Sequence, residues 1–174
     1  MARIDYADLN HAEIKPLVDR IVAERGKVLH LYQMLLNAPP VAEGWLTFLT
    51  AIRQKSTLSP ALRELVIMRV AVINGAPYEA EQHAPIALRE GVTQAQLDDL
   101  DKWSESEKFD ATQRAVLAYT DAMTKNVQVP AEVFAKVKDV VNDRQLVELT
   151  ATVGAYNMVS RFLEALQIHS HDQQ

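Results

Sequence analysis

Between residues 74 and 85 the chain reads Asn-Gly-Ala-Pro-Tyr-Glu-Ala-Glu-Gln-His-Ala-Pro. A glycine, two prolines, a tyrosine, two carboxylates and a histidine share that stretch, and the segments on either side read as buried helix. Titratable groups at a break between two apolar helices are what a small active site needs. Glu79 and His83 are four residues apart, so a helix running between them places both on one face. A carboxylate beside an imidazole raises its pKa and fixes its tautomer. That is the wiring of a general acid/base. Glu64, on the preceding helix, returns to the same spot if the two helices form an antiparallel hairpin. Arg69 and Tyr78 complete the set of candidates.

The absent residue types narrow the chemistry. The 174 residues contain no cysteine, which excludes disulfides, thiolate metal sites and cysteine nucleophiles. No three-ligand cluster has metal spacing, so neither a metal nor another cofactor is expected. His11 and His30 lie away from the motif, and His169 and His171 sit in a terminal stretch. No glycine-rich phosphate loop and no Gly-x-Ser-x-Gly elbow occurs. The net charge of −5 carries no basic run, which argues against a nucleic-acid partner. No apolar run approaches a membrane span, and Met1 to Tyr6 lacks the apolar core of a signal peptide, so no membrane partner and a cytoplasmic location are expected.

The elements that must position these groups are helical. Apolar residues make up 48% of the chain, glycine is scarce at five residues, and alternation of the strand type is not sustained. An all-α single domain over 1–174, of about eight or nine helices, follows. Helices are expected over about 14–25, 28–36 and 41–54, the third with Trp45, Leu46, Phe48, Leu49 and Ile52 inward. Ser59 as N-cap and Pro60 at the first position open a fourth, ending at Asn74-Gly75. It is apolar nearly all round, as in a core or an oligomer interface. Pro77 opens a fifth, which Gly91 closes, and Pro85 predicts a kink or break within a turn of His83. Thr93 with Gln96, Asp110 with Gln113 and Asn142 with Gln145 form start signals for three more. Pro130 opens another, to about Val141, and the last helix runs to about Ile168. Ser170 to Gln174 reads as a frayed tail. Arg63-Glu64-Leu65-Val66 and Arg144-Gln145-Leu146-Val147 echo each other, each followed by an asparagine (Asn74, Asn157), which suggests two related hairpins.

Leu58-Ser59-Pro60-Ala61-Leu62-Arg63-Glu64-Leu65, Tyr78-Glu79-Ala80-Glu81-Gln82-His83-Ala84-Pro85-Ile86-Ala87 and Gly91 together resemble the carboxymuconolactone decarboxylase-like family of the alkyl hydroperoxidase D-like superfamily. The resemblance is specific over about 58–100 and looser through Tyr156-Asn157-Met158-Val159-Ser160-Arg161-Phe162. The family core would span about 41–126, with the C-terminal helix at about 143–168. The resemblance implies an all-α fold with a repeated helical hairpin, assembled as a trimer or hexamer. It matches the peroxidase branch's glutamate to Glu64 and its histidine to His83, but puts that branch's two cysteines at Ala76 and Glu79. Disulfide-based peroxide reduction therefore has neither nucleophile nor resolving partner here. What remains resembles the decarboxylase branch. It implies a cofactor-free lyase acting on a small carboxylated lactone or a related compound of aromatic catabolism. His83 would donate the proton, Glu79 or Glu64 would orient and charge it, and Arg69 and Tyr78 would bind the small acidic substrate.

Each residue also has a purely structural reading. His83 can be a buried histidine bonded to Glu64, Glu79 a helix-start carboxylate favoured by the dipole, and Tyr78 a cover for the hairpin end. Two other functions stay open beside the lyase. One is a non-catalytic or small-molecule-binding member that keeps the oligomeric fold. The other is antioxidant activity by a non-thiol route.

Overall fold

The computed structural model of the protein describes residues 1–172, and Gln173 and Gln174 lie outside the described residues. Among the described residues there are nine α-helices, one 3-10 turn and no strand. They are α1 (Lys15–Arg25), α2 (His30–Leu35), α3 (Pro39–Gln54), α4 (Pro60–Asn74), α5 (Pro77–Arg89), α6 (Gln94–Asp98), α7 (Ala111–Asn126), α8 (Ala131–Val140) and α9 (Asp143–Leu166), with the 3-10 turn at Leu100–Lys102. Two compact units divide the chain, Met1–Lys55 with Leu163–Gln174, and Ser56–Phe162.

In the first unit α3 packs against α1 and α2. Ile21 and Val18 of α1, Met34 and Leu35 of α2, and Trp45, Leu46, Leu49 and Ile52 of α3 are buried. Phe48 is not among them; it is 44% exposed, contrary to the sequence expectation, because the buried stripe of α3 already holds its four large side chains. The helix also starts earlier than expected, since Pro39 and Pro40 occupy its first turn, where a missing N–H costs nothing. The tail is tied as far as it is described. The Asp172 carboxylate accepts from the Tyr6 hydroxyl at 2.7 Å and from the His169 amide at 3.0 Å, so the expected fraying does not hold up to residue 172.

The second unit is built on α4, which packs against both α5 and α7, while α8 packs on α7. Ser59 caps α4 by accepting from the Leu62 amide at 3.2 Å. Residues 63–71 of α4 are all buried. The chain's own elements thus cover this all-round apolar helix, and no second copy is needed to do so. Leu65, Met68, Ala87, Val92, Leu100, Phe109 and Leu117 form the core cluster that locks α4, α5 and α7 together. Gly75, at φ 61°, makes the left-handed turn that folds α5 back on α4. All three expected start signals are formed, Thr93 with Gln96, Asp110 with Gln113 and Asn142 with Gln145.

Pro85 does not interrupt α5, which runs unbroken from Pro77 to Arg89. The carbonyl that Pro85 leaves without an amide partner is that of Glu81, and both residues are exposed. Water can satisfy that carbonyl, so the helix continues. The two echo asparagines meet, Asn74 Nδ2 donating to Asn157 Oδ1 at 3.0 Å across α4 and α9. This bond joins corresponding ends of the two similar helices.

Candidate active site

Glu64 sits one turn into α4 and has no exposed surface. Its Oε2 accepts from His83 Nδ1 at 2.7 Å, and its Oε1 accepts from Arg63 Nε at 3.3 Å. The α4–α5 hairpin therefore brings together two residues 19 apart in sequence. Of the two glutamates, Glu64 is hydrogen-bonded to His83 Nδ1. An ionised carboxylate only accepts, so Nδ1 carries the hydrogen and proton exchange with a substrate would pass through Nε2.

Two side chains of α9 enter this neighbourhood. The Tyr156 ring meets the His83 ring edge-on, with centroids 5.1 Å apart and planes at 88°. Ser160 Oγ lies 2.5 Å from Glu79 Oε2, and the same oxygen lies 2.8 Å from the Tyr156 carbonyl. Glu79 is 2% exposed and stands in the first turn of α5, where the helix dipole favours a negative charge. Tyr78 beside it is buried at 3% exposure. Ala76, the other position where the resemblance puts a cysteine, is also buried.

The loop leading into α4 is fixed from α9. Glu148 Oε2 accepts from the Ser56 hydroxyl, the Thr57 amide and hydroxyl, and the Leu58 amide, at 2.8 to 3.0 Å. Its Oε1 accepts from Arg144 Nε at 3.0 Å. Burial opposes the charge on Glu148. The hydrogen bonds from Thr57, Arg144 and Ser56 outweigh it and hold the carboxyl down at about 2. This clamp sets where α4 begins, and hence where Glu64 stands.

Arg69 does not act as expected. Its Nε and Nη2 donate to the two carboxylate oxygens of Asp121 at 2.6 and 2.7 Å. Its Nη1 donates to the carbonyls of Leu100 and Asp101 at 3.0 and 3.3 Å. Every nitrogen of the guanidinium thus makes a bond that ties α4 to α7 and the 3-10 turn, and four of its five hydrogens are used. Arg69 is a buried structural residue.

Arg63, Tyr156 and Ser160 were not among the sequence candidates. Arg63 could have been found only as the neighbour of Glu64, and adjacent helix residues usually point apart. Tyr156 and Ser160 lie in the part of α9 where the sequence resemblance is loose. Ser160 is 81 residues from Glu79, so no local spacing announces the pair. Among the described residues no group of three or more His, Asp or Glu side chains is placed to hold a metal ion.

Comparison with known proteins agrees with this fold. The carboxymuconolactone decarboxylase family model matches residues 39–122. Among curated proteins, YdfG of Bacillus subtilis (strain 168) is 24% identical over 115 residues, covering 65% of this chain and 78% of YdfG. The alkylhydroperoxidase AhpD core, a peroxidase-related protein from Ralstonia eutropha JMP134, superposes with a TM-score of 0.83 at 15% identity, covering 98% of this chain and 93% of that one. The debrominase Bmp8 in complex with 2,3,4-tribromopyrrole superposes with a TM-score of 0.81 at 15% identity, covering 98% and 94%. Such likenesses show the fold. Residues 39–122 thus match the carboxymuconolactone decarboxylase family, and the nine described helices form an all-α fold like that of the AhpD-like structures.

Proposed function

We propose that the protein is a cofactor-free carbon–carbon lyase that decarboxylates a small carboxylated lactone or a related acidic ring compound. The observation that carries this reading is the buried Glu64–His83 hydrogen bond of 2.7 Å in a chain without cysteine. Loss of carbon dioxide breaks a carbon–carbon bond and leaves its electron pair on the ring. In an unsaturated lactone that pair spreads into the ring carbonyl as an enolate, so the substrate supplies its own electron sink. The site then has to deliver one proton to carbon. His83, held at Nδ1 by the charged Glu64, would deliver it from Nε2 as general acid. Edge-on packing by Tyr156 fixes the ring plane and so the direction of delivery.

The family match over residues 39–122 supports the reaction class, and the missing thiols turn it away from the redox chemistry of the AhpD-like proteins. The fold likeness to a debrominase bound to a halogenated pyrrole fits a scaffold that accepts small planar rings. The test is decarboxylation of 4-carboxymuconolactone and its close analogues, followed by release of carbon dioxide. Turnover by the wild type and a fall of roughly 10²- to 10⁴-fold in His83→Ala are expected. A wild-type protein inert on the whole series rejects the reading.

A further inference from the structure

With Arg69 tied to Asp121, the acidic substrate of the proposed reaction needs another cation to hold it. Arg63 stands next to Glu64 on α4 and is 8% exposed. Its Nε donates to Glu64 Oε1 at 3.3 Å, while His83 Nδ1 donates to Oε2 of the same carboxyl at 2.7 Å. The guanidinium and the imidazole therefore flank one carboxylate, one at each oxygen. A guanidinium carries five N–H hydrogens, and this long bond occupies a single one of them. Among the described residues, Nη1 and Nη2 of Arg63 donate to no acceptor. Neither is among the fully sealed polar atoms of the described residues that lack a partner, so both keep access to an incoming molecule. Arg69 on the same helix is the contrast, since each of its three nitrogens has an acceptor.

We propose that Arg63 is the carboxylate-binding residue of the site, its Nη1 and Nη2 fork gripping the anionic group of a ring acid and setting the ring against His83. Two parallel N–H groups of a planar guanidinium match the two oxygens of a carboxylate. A nearly buried guanidinium with most of its hydrogens unused is costly until an acceptor arrives. Charge selects the same occupant. When His83 carries the proton it is to donate, it and Arg63 set two positive charges against the one negative charge of the Glu64 carboxylate. Water would satisfy the hydrogens but not the charge, whereas a monoanion satisfies both.

The inference deepens the proposed function and rests on its acidic substrate, but its test needs no turnover. The whole protein is titrated with 2-furoate, a small ring acid, and with its neutral amide, 2-furamide. Calorimetry gives the affinities, and the imidazole NMR signal of His83 reports the place. The wild type should bind furoate roughly 10-fold or more tighter than the amide, and the His83 signal should move with the acid. Arg63→Gln should weaken furoate by roughly 10- to 100-fold and erase its preference over the amide. Arg63→Lys, which keeps the charge and loses the fork, should fall between the two. Lys136→Gln, which removes an exposed cation of α8, should bind as the wild type does. Should Arg63→Gln fail to fold, a narrowed preference for the acid in Arg63→Lys decides. No furoate binding by the wild type, equal binding of acid and amide, or an undiminished preference in a folded Arg63 variant overturns the inference. Furoate binding that depends on Arg63, in a protein inert on the lactone series, would uphold the inference and reject the lyase. Turnover with KM unchanged in Arg63→Gln and Arg63→Lys would do the reverse.

Discussion

At Glu148 four donors converge on one carboxylate oxygen. The folded pKa of about 2 lies below the ordinary 4.5, so the carboxylate form is the one the fold prefers. The stability that follows is fully present above about pH 4.5 and drains away as pH falls through about 2. Thermal melts across that window should show Glu148→Gln losing less than the wild type on acidification, and a parallel fall in both would remove the clamp from the account. Glu148 passed unnoticed in the sequence because its partners lie some 90 residues upstream. Glu64 and His83 were legible for the opposite reason: both lie on one hairpin, and a resemblance covers both. The bond from Arg69 to Asp121 was not legible, because nothing local reveals a partner 52 residues on.

Helix starts were the most readable elements. Ser59, Thr93 and Asp110 each accept from a backbone amide near the start of the next helix, as their types and spacing indicate. Pro85 did not break its helix, because the cost of a proline depends on whether the freed carbonyl is wet, and spacing alone cannot tell. The Arg69–Asp121 pair is the main polar tie between α4 and α7. Burial disfavours charge on Asp121, yet the bonds from Arg69 and Lys125 prevail and lower its pKa. Arg69→Met should therefore cost about 3 kcal/mol by leaving that partly buried carboxylate with Lys125 alone. The double variant Arg69→Met with Asp121→Leu should recover much of this in denaturant unfolding. Any turnover per folded molecule should stay close to wild type in Arg69→Met. A selective rise in KM there would restore the substrate-binding role that the geometry denies.

At the scale of the whole molecule, the all-α fold and family were legible, but the case for assembly changes. The sequence expectation rested on the all-round apolar character of α4 and on the resemblance. The chain itself buries α4 from residue 63 to 71, while Val147 and Met158 of α9 remain 69% and 38% exposed. These exposed side chains make α9 the face we expect an assembly to use. Size-exclusion chromatography with light scattering should give a trimer or hexamer that Val147→Glu weakens. A wild-type monomer at micromolar concentration would end the proposal. Among the described residues no helix is long and apolar enough to cross a membrane.

The central claim is that the buried Glu64–His83 pair performs acid/base chemistry on a carboxylated ring without a thiol. The most direct measurement is carbon dioxide release from 4-carboxymuconolactone and its analogues by the wild type, His83→Ala and Glu64→Gln, each first shown to be folded. Turnover by the wild type, with both variants down by roughly 10²-fold or more, is the expected result. Equal rates in all three folded proteins, or no release by any of them, would contradict it.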